Sequence, residues 1–251
     1  SAPGVWNDTQ VAAWQPVTEA VHEAGGQIIL QLWHMGRLVH PDFLGGAQPV
    51  SASATTAPGD AHTAEGKKPY TEARALETSE IPRIIEDYVN AAKNAIAAGF
   101  DGIQIHAANG YLIDQFLRDN ANFRTDQYGG SIENRIRLLR EVTQAVVNAL
   151  GADRTSVRLS PNGETQGVDD SNPIPLFTAA AAALQNIGIA FLELREVKSH
   201  GNFGRTDVPR VSPQIREVFK GPLVLNQEYT KELADADLTS GLAEAISFGR
   251  A

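Results

Sequence analysis

Cysteine is absent from this 251-residue chain, and methionine occurs once. The absence rules out disulfides, thiolate metal sites, cysteine-held iron–sulfur clusters and thiol nucleophiles within the chain. It fits a reducing compartment, and a cytoplasmic setting is expected. Basic charge is scarce as well: 21 Lys and Arg against 30 Asp and Glu leave a formal net charge of −9. A nucleic-acid partner is not expected on that balance, because phosphate backbones are bound through a basic face. Any anionic ligand must then be held by a few placed arginines and backbone N–H groups. No apolar run approaches the roughly 18 residues of a membrane span, so no membrane partner is expected. The opening SAPGVWNDTQ lacks the basic start and apolar centre of a secretory signal, and it has no initiating Met. The histidines outside position 106 show no ligand-like spacing, so no metal site is expected. Neither a GxGxxG fingerprint nor a nucleophile elbow is present.

What the chain does have is alternation. Short apolar runs at Ile28–Trp33, Gly102–His106, Ser156–Ser160, Ile189–Leu194, Pro222–Asn226 and Ala245–Phe248 read as strands. Helical patterns lie between them. Ile81, Ile84, Ile85, Tyr88, Val89, Ala92 and Ile96 recur at three and four, with Thr78 or Ser79 as N-cap and Gly99 past the end. Ser131 opens a second stripe, Ile132 to Leu150, which Gly151 stops. Others run near Leu176–Asn186, Pro213–Phe219 and Lys231–Ser240, and one near Gln10–Ala24 precedes the first strand. This is the pace of repeated βα units on a parallel sheet. Two stretches, 37–77 and 111–130, are rich in turn residues and follow strand ends, as binding loops do.

The reading is one domain over residues 1–251, an α/β chain of the (β/α)8 TIM-barrel class. Six strands are two short of a closed barrel. A strand before the first helix and a helix after the last strand are missing, so a partial barrel from a longer protein is expected. An open doubly wound sheet fits six strands equally well; the chemistry at the strand ends favours the barrel.

Barrel chemistry sits at the C-terminal ends of the strands. Those ends carry Gln31 and Trp33; His106, Asn109 and Tyr111; Arg158; Arg195; Asn226 and Gln227; Gly249 and Arg250. A buried Gln31 needs partners for several donors and acceptors, which a heterocycle edge or backbone carbonyls can supply. A buried Arg158 needs a structural carboxylate or a ligand anion. His106 and Asn109, three apart past a strand, can both donate to one carbonyl or nitro oxygen, and Tyr111 can give a proton. Gly249 and Arg250 suit a phosphate, though a chain turn and a solvated end residue account for them equally.

The motifs IILQLWHMGR, AGFDGIQIHAANGYLIDQFL, YGGSIENRIRLLREV, VRLSP, NFGRTD and ISFGR resemble, in order along the whole chain, the Old Yellow Enzyme family of FMN-dependent ene-reductases. The likeness is to the bacterial branch that reduces N-ethylmaleimide, nitrate esters and enones. The resemblance implies an oxidoreductase that takes hydride from NADPH or NADH and passes it to activated alkenes or nitro and nitrate-ester compounds. It implies that Gln31 bonds the flavin pyrimidine edge and that Arg158 stabilises negative charge beside flavin N1. Gln227, Gly249 and Arg250 would hold the FMN phosphate. His106 and Asn109 would bind the substrate oxygen and Tyr111 would protonate the α-carbon. Trp33 and Gln166 would shape the substrate pocket. Small-molecule substrates are implied, on a monomer or homodimer. Gln104 stands where the family has Glu, and Ala107 where Gly is common; neither is expected to touch the chemistry. The competing readings are a non-redox barrel for a phosphorylated ligand and an inactive piece of an ene-reductase.

Overall fold

A computed structural model of the chain describes residues 3–196 and 206–249. Its centre is a six-stranded sheet, parallel throughout. The chain opens with helix α1 (Asp8–Glu23), capped by the Asn7 side chain, and enters strand β1 (Ile29–Leu32). Two short ladders follow in the first long connection. Strand β2 (Val50–Ser51) pairs with β5 (Arg74–Ala75), and β3 (Asp60–Thr63) pairs antiparallel with β4 (Gly66–Pro69). Then come helix α2 (Ile81–Ala97), strand β6 (Gly102–His106) and helices α3 (Leu112–Leu117), α4 (Ile132–Arg135) and α5 (Arg137–Leu150). The rest alternates: β7 (Thr155–Leu159), α6 (Pro173–Ile187), β8 (Leu192–Arg195), α7 (Ser212–Val218), β9 (Leu223–Asn226), α8 (Lys231–Thr239) and β10 (Ala245–Ser247).

The large sheet has the order β1-β6-β7-β8-β9-β10, which is also the order of its strands along the chain. Consecutive helices pack on each other, α2 on α5, α5 on α6 and α6 on α7. They therefore share one face of the sheet. A doubly wound sheet would split them between two faces, so the winding is that of a barrel wall. The arc is open, with β1 and β10 as its edges.

Side chains alternate across each strand, and here the alternation divides two tasks. Ile103, Ile105, Val157, Leu159, Leu192, Leu194, Leu223 and Leu225 are buried in the core. They meet Tyr88, Ala92 and Ala95 of α2, Leu139, Val142 and Val146 of α5 and Phe177, Ala181 and Leu184 of α6. The opposite face of the same strands carries Gln31, Gln104, His106, Ser156, Arg158, Glu193, Arg195 and Asn226. Burying one large apolar side chain is worth about 1.5–3 kcal/mol, so the outer layer holds the arc together while the inner face stays polar.

Several sequence expectations shift. Neither Thr78 nor Ser79 caps α2: a 3-10 turn, Thr78–Glu80, precedes it, closed by a reciprocal capping box between Glu77 and Glu80. Thr78 donates its hydroxyl to Asp126 instead. The stripe from Ile132 breaks at Ile136 into α4 and α5, and Ser131 caps only the first. The stretch 111–130 holds a helix, α3, whose six residues are all buried. Amphipathic periodicity cannot reveal a helix that buries every face. The fourth strand begins three residues later than expected, at Leu192. Among the described residues, no helix is long and apolar enough to cross a membrane.

Candidate active site

One open cleft of about 540 Å3 lies over the C-terminal ends of β1, β6, β7 and β8. This is within the range of small-molecule sites. Gln31, Trp33, His106, Asn109, Tyr111, Arg158 and Gln166 all line it, joined by Thr165 and Arg195. Gln227 and Gly249 line a separate hollow past β9 and β10, beside Asn226 and Ser247. Arg250 lies outside the described residues. A Cβ on Gly249 would meet open space, so the fold itself does not require glycine there. The hollows are tied together by Arg158, which donates to Asn226 Oδ1 at 2.8 Å, and by Arg195, which donates to Gln227 Oε1 at 3.2 Å.

His106 ends β6 and is buried. The Ala108 N–H donates to its Nδ1 at 3.2 Å. A neutral ring with Nδ1 accepting carries its proton on Nε2, which makes that atom a donor. Burial, and then the nearby Arg158 cation, pull its pKa down to about 3. The ring thus stays neutral across the physiological range. It lies edge-on to Tyr111 at 5.0 Å and stacks on Trp33 at 6.1 Å, while Trp33 and Tyr111 meet edge to face at 4.4 Å. The linkage has a definite sign. Between about pH 6.5 and about pH 3 the unfolded chain binds a proton at this position and the folded chain does not. His106 therefore lowers stability as pH falls through that window. Urea unfolding of His106→Asn is expected to show a shallower loss from pH 6.5 to pH 4 than the parent chain; equal slopes would contradict a buried neutral imidazole.

Backbone strain collects around the same cleft. Among the described residues, the non-glycine positions with positive φ are Asn109 (57°), Gln166 (53°), Gln227 (99°) and Glu228 (51°). Such conformations cost of order 1–3 kcal/mol each and persist where surroundings over-determine them. At Asn109 the surroundings are plain. Its N–H donates to Ser160 Oγ at 2.8 Å, and its carbonyl accepts from Gln166 Nε2 at 2.7 Å. The next N–H, of Gly110, donates to Asp114 Oδ2 at 2.9 Å. Gly110 has φ 79°, and a Cβ there would sit 2.8 Å from the Thr165 carbonyl, so only glycine permits the approach. Gln166 and Gly167 both have positive φ between the mutually bonded Thr165 and Val168, the signature of a type I′ turn.

Behind that turn is a fully buried ion pair. Arg118 donates from Nε to Asp114 Oδ1 at 2.9 Å and from Nη2 to the Ser160 carbonyl, and its guanidinium lies over the Phe177 ring. Asp114, Arg118 and Ser160 were not picked out from sequence. The Asp-x-x-x-Arg spacing, one helical turn with the acid first, was the available signal. Thr165 went unmentioned, and Arg195 was seen at a strand end but given no role. Burial and Arg158 lower the Arg195 pKa from its ordinary value.

Two partner expectations change. Gln31 is not the buried amide expected: on the edge strand β1 it is exposed, and its Nε2 donates to Gln104 Oε1 at 2.7 Å rather than to a backbone carbonyl. Gln104, expected to stand clear of the chemistry, therefore touches a cleft residue. Arg158 finds an amide, not a carboxylate, and its Nε is buried without a partner. Asn109 Oδ1 is likewise buried and unpaired. Each buried polar atom without a partner calls for an explanation, and a ligand bound in the cleft is one. An aromatic heterocycle with acceptor atoms on one edge fits Gln31 and Arg158, so these residues suit a flavin.

The comparisons agree. The family described as "NADH:flavin oxidoreductase / NADH oxidase family" matches residues 1–251. The chain is 60% identical to the old yellow enzyme homologue from Zymomonas mobilis, covering 99% of this chain and 70% of that one, with a TM-score of 0.97. It is 42% identical to morphinone reductase in complex with tetrahydroNAD, covering 99% of this chain and 69% of that one, with a TM-score of 0.90. A putative 12-oxophytodienoate reductase 11 from Oryza sativa subsp. japonica is 40% identical over 250 residues, 99% of this chain and 68% of the relative. The chain thus spans about two thirds of the length of these relatives, and its open arc is six strands of their barrel. The chain belongs to the NADH:flavin oxidoreductase / NADH oxidase family, as an Old Yellow Enzyme homologue among FMN enzymes that draw on a nicotinamide reductant.

Proposed function

We propose that the chain carries the flavin and substrate site of an NAD(P)H-dependent ene-reductase acting on activated alkenes such as enones and maleimides, or on nitro and nitrate-ester compounds. The observation that carries this reading is the convergence on one cleft of a neutral histidine donor, Asn109, Tyr111 and the Arg158 cation. The relatives named for 12-oxophytodienoate and morphinone reduction support it by likeness.

FMN, when bound, supplies the two-electron carrier between nicotinamide and substrate. The chain's own residues do the rest. Gln31 and Arg158 would hold the ring's polar edge, where the Arg158 charge would favour arriving electron density. Gln227 and Gly249 would hold the phosphate, together with Arg250 as the sequence resemblance implies. His106 Nε2–H and the Asn109 amide donate to the substrate's carbonyl or nitro oxygen and draw charge from the adjacent double bond. A neutral donor suits this task, since an imidazolium would compete with Arg158 for the same field. Tyr111, against Trp33 and His106 on the cleft wall, supplies the proton that completes the saturated product. Trp33 and Gln166 shape the space for the substrate.

The test is the visible absorbance of the purified, desalted chain, with and without added FMN. The expected result is a flavin spectrum that bleaches anaerobically on addition of NADPH or NADH. A folded chain that stays colourless in excess FMN would favour either the inactive-piece reading or the non-redox, phosphate-binding one. A spectrum that fails to bleach would leave a flavin binder without the reductive half-reaction.

A further inference from the structure

Behind Gln31, the inner face of the arc holds a line of side chains, Gln104, Glu193 and Ser247, that the proposed chemistry does not use. Gln31 and Gln104 are register partners on β1 and β6. Gln31 Nε2 donates to Gln104 Oε1 at 2.7 Å, and Gln104 Nε2 donates to Glu193 Oε2 at 2.8 Å. The Ser247 hydroxyl donates to Glu193 Oε1 at 2.7 Å. The line therefore crosses from β1 through β6 and β8 to β10, from one edge of the sheet to the other. Gln104 and Glu193 are both buried, at 5% and 7% exposure.

The line has a direction. The two ends of a glutamine amide have the same shape, so packing cannot choose which faces forward; only hydrogen-bond partners can. A carboxylate accepts and does not donate. Glu193 therefore draws the NH2 of Gln104 toward itself and turns the Gln104 carbonyl to Gln31. That carbonyl in turn takes one N–H of Gln31. What remains at the cleft is fixed: one Gln31 N–H and the Gln31 carbonyl, in a set order. We infer that Gln104 and Glu193 are positioning residues that set the donor–acceptor order Gln31 presents to the flavin's polar edge. The inference rests on the flavin reading for its purpose, but not for the relay itself. Gln31 itself is exposed at the cleft, and a flavin edge covering it in the wrong order would leave a donor or acceptor buried and unpaired, so the order matters for affinity.

The test is a carboxylate swap. Gln104→Glu alone sets two acceptors against each other. Glu193→Gln alone removes the acceptor that fixes Gln104 and frees both amides to turn. Gln104→Glu with Glu193→Gln restores one carboxylate flanked by amide donors, and the order at Gln31 returns. FMN titrated into the flavin-stripped chain, followed by flavin fluorescence, is expected to show Kd raised about tenfold or more in Glu193→Gln, as for loss of a charge-assisted hydrogen bond; Gln104→Glu keeps an acceptor toward Gln31, and its cost falls on stability through the two facing carboxylates. The double variant is expected within about threefold of the parent, the scatter allowed for moving the charge one strand along. A double variant as weak as Glu193→Gln, or Glu193→Gln as tight as the parent, would overturn the inference.

A second reading needs no flavin. Hydrogen exchange of the buried Gln104 side-chain amide, by NMR of the flavin-free chain, is expected to be slow in the parent and fast in Glu193→Gln. Fast exchange in both would overturn the relay. A parent chain that binds no FMN yet keeps a protected Gln104 amide would support the relay and remove the flavin from it.

Discussion

Removing both substrate-oxygen donors, as His106→Ala with Asn109→Gly, is expected to lower kcat/KM for an enone by about a thousandfold, while the Kd for FMN changes by less than about threefold. The magnitude follows from the task. A preorganised donor at a developing oxyanion is worth about ten- to a thousandfold, and two on one oxygen act as a unit. Glycine is the right replacement at position 109. Its φ of 57° would strain alanine, and glycine removes the amide without moving the turn. The split between turnover and cofactor affinity is the diagnostic. His106 and Asn109 line the cleft beside Gln31 and Arg158 but make no hydrogen bond to them. Steady-state kinetics on the flavin-loaded chain decide it. Turnover within a few-fold of the parent would remove these residues from the chemistry, and an equal loss of FMN binding would recast them as structural.

Arg118→Met is expected to lower stability by about 3–5 kcal/mol, the usual cost of leaving one member of a buried pair uncompensated. Thermal unfolding should show a fall in Tm of about 10 °C for a chain of this length. Asp114 and Arg118 have no exposed surface, so no water replaces the lost partner. The damage should also reach the cleft. Asp114 receives the Gly110 N–H, and Arg118 donates to the carbonyl of Ser160, whose hydroxyl receives the Asn109 N–H. Asp114→Asn with Arg118→Met removes both charges and should recover more than half of the loss. A Tm within about 2 °C of the parent in Arg118→Met would mean that the pair contributes little, as exposed pairs do.

Much of the cleft was legible in the sequence because barrel strands alternate. Once the strand periods were marked, polar residues at their C-terminal ends stood out, and Gln31, His106 and Arg158 do face one space. Asn109, Tyr111 and Gln166 came with the motifs that follow those strands. What stayed hidden was mostly second to these in space. Asp114 and Ser160 have apolar neighbours in sequence, and their purpose shows only when the Asn109–Gly110 turn is seen leaning on them. Helix α3 escaped because all of its residues are buried, which erases the polar face a periodicity search needs. Gln104 was set aside because a change of type beside a motif says nothing of what it touches. Its contact with Gln31 comes from strand register, which is set across β1 and β6 and is not written in either alone.

The division of each strand between an apolar outer side and a polar inner side makes the wall tolerant of one kind of genetic change and intolerant of another. Substitution at an inner position that opens on the cleft, such as Gln31 or Arg195, alters reactivity with little effect on the apolar packing, so point mutation there can explore new substrates without unfolding the chain. Inserting or deleting one codon within β6 or β7 does the reverse. It would send Ile105 or Val157 into the cleft and turn His106 or Arg158 beneath the helices, exchanging the two sides at once. Length variation among homologues of this chain should therefore fall in the connections after the strands, and the strands themselves should keep their length.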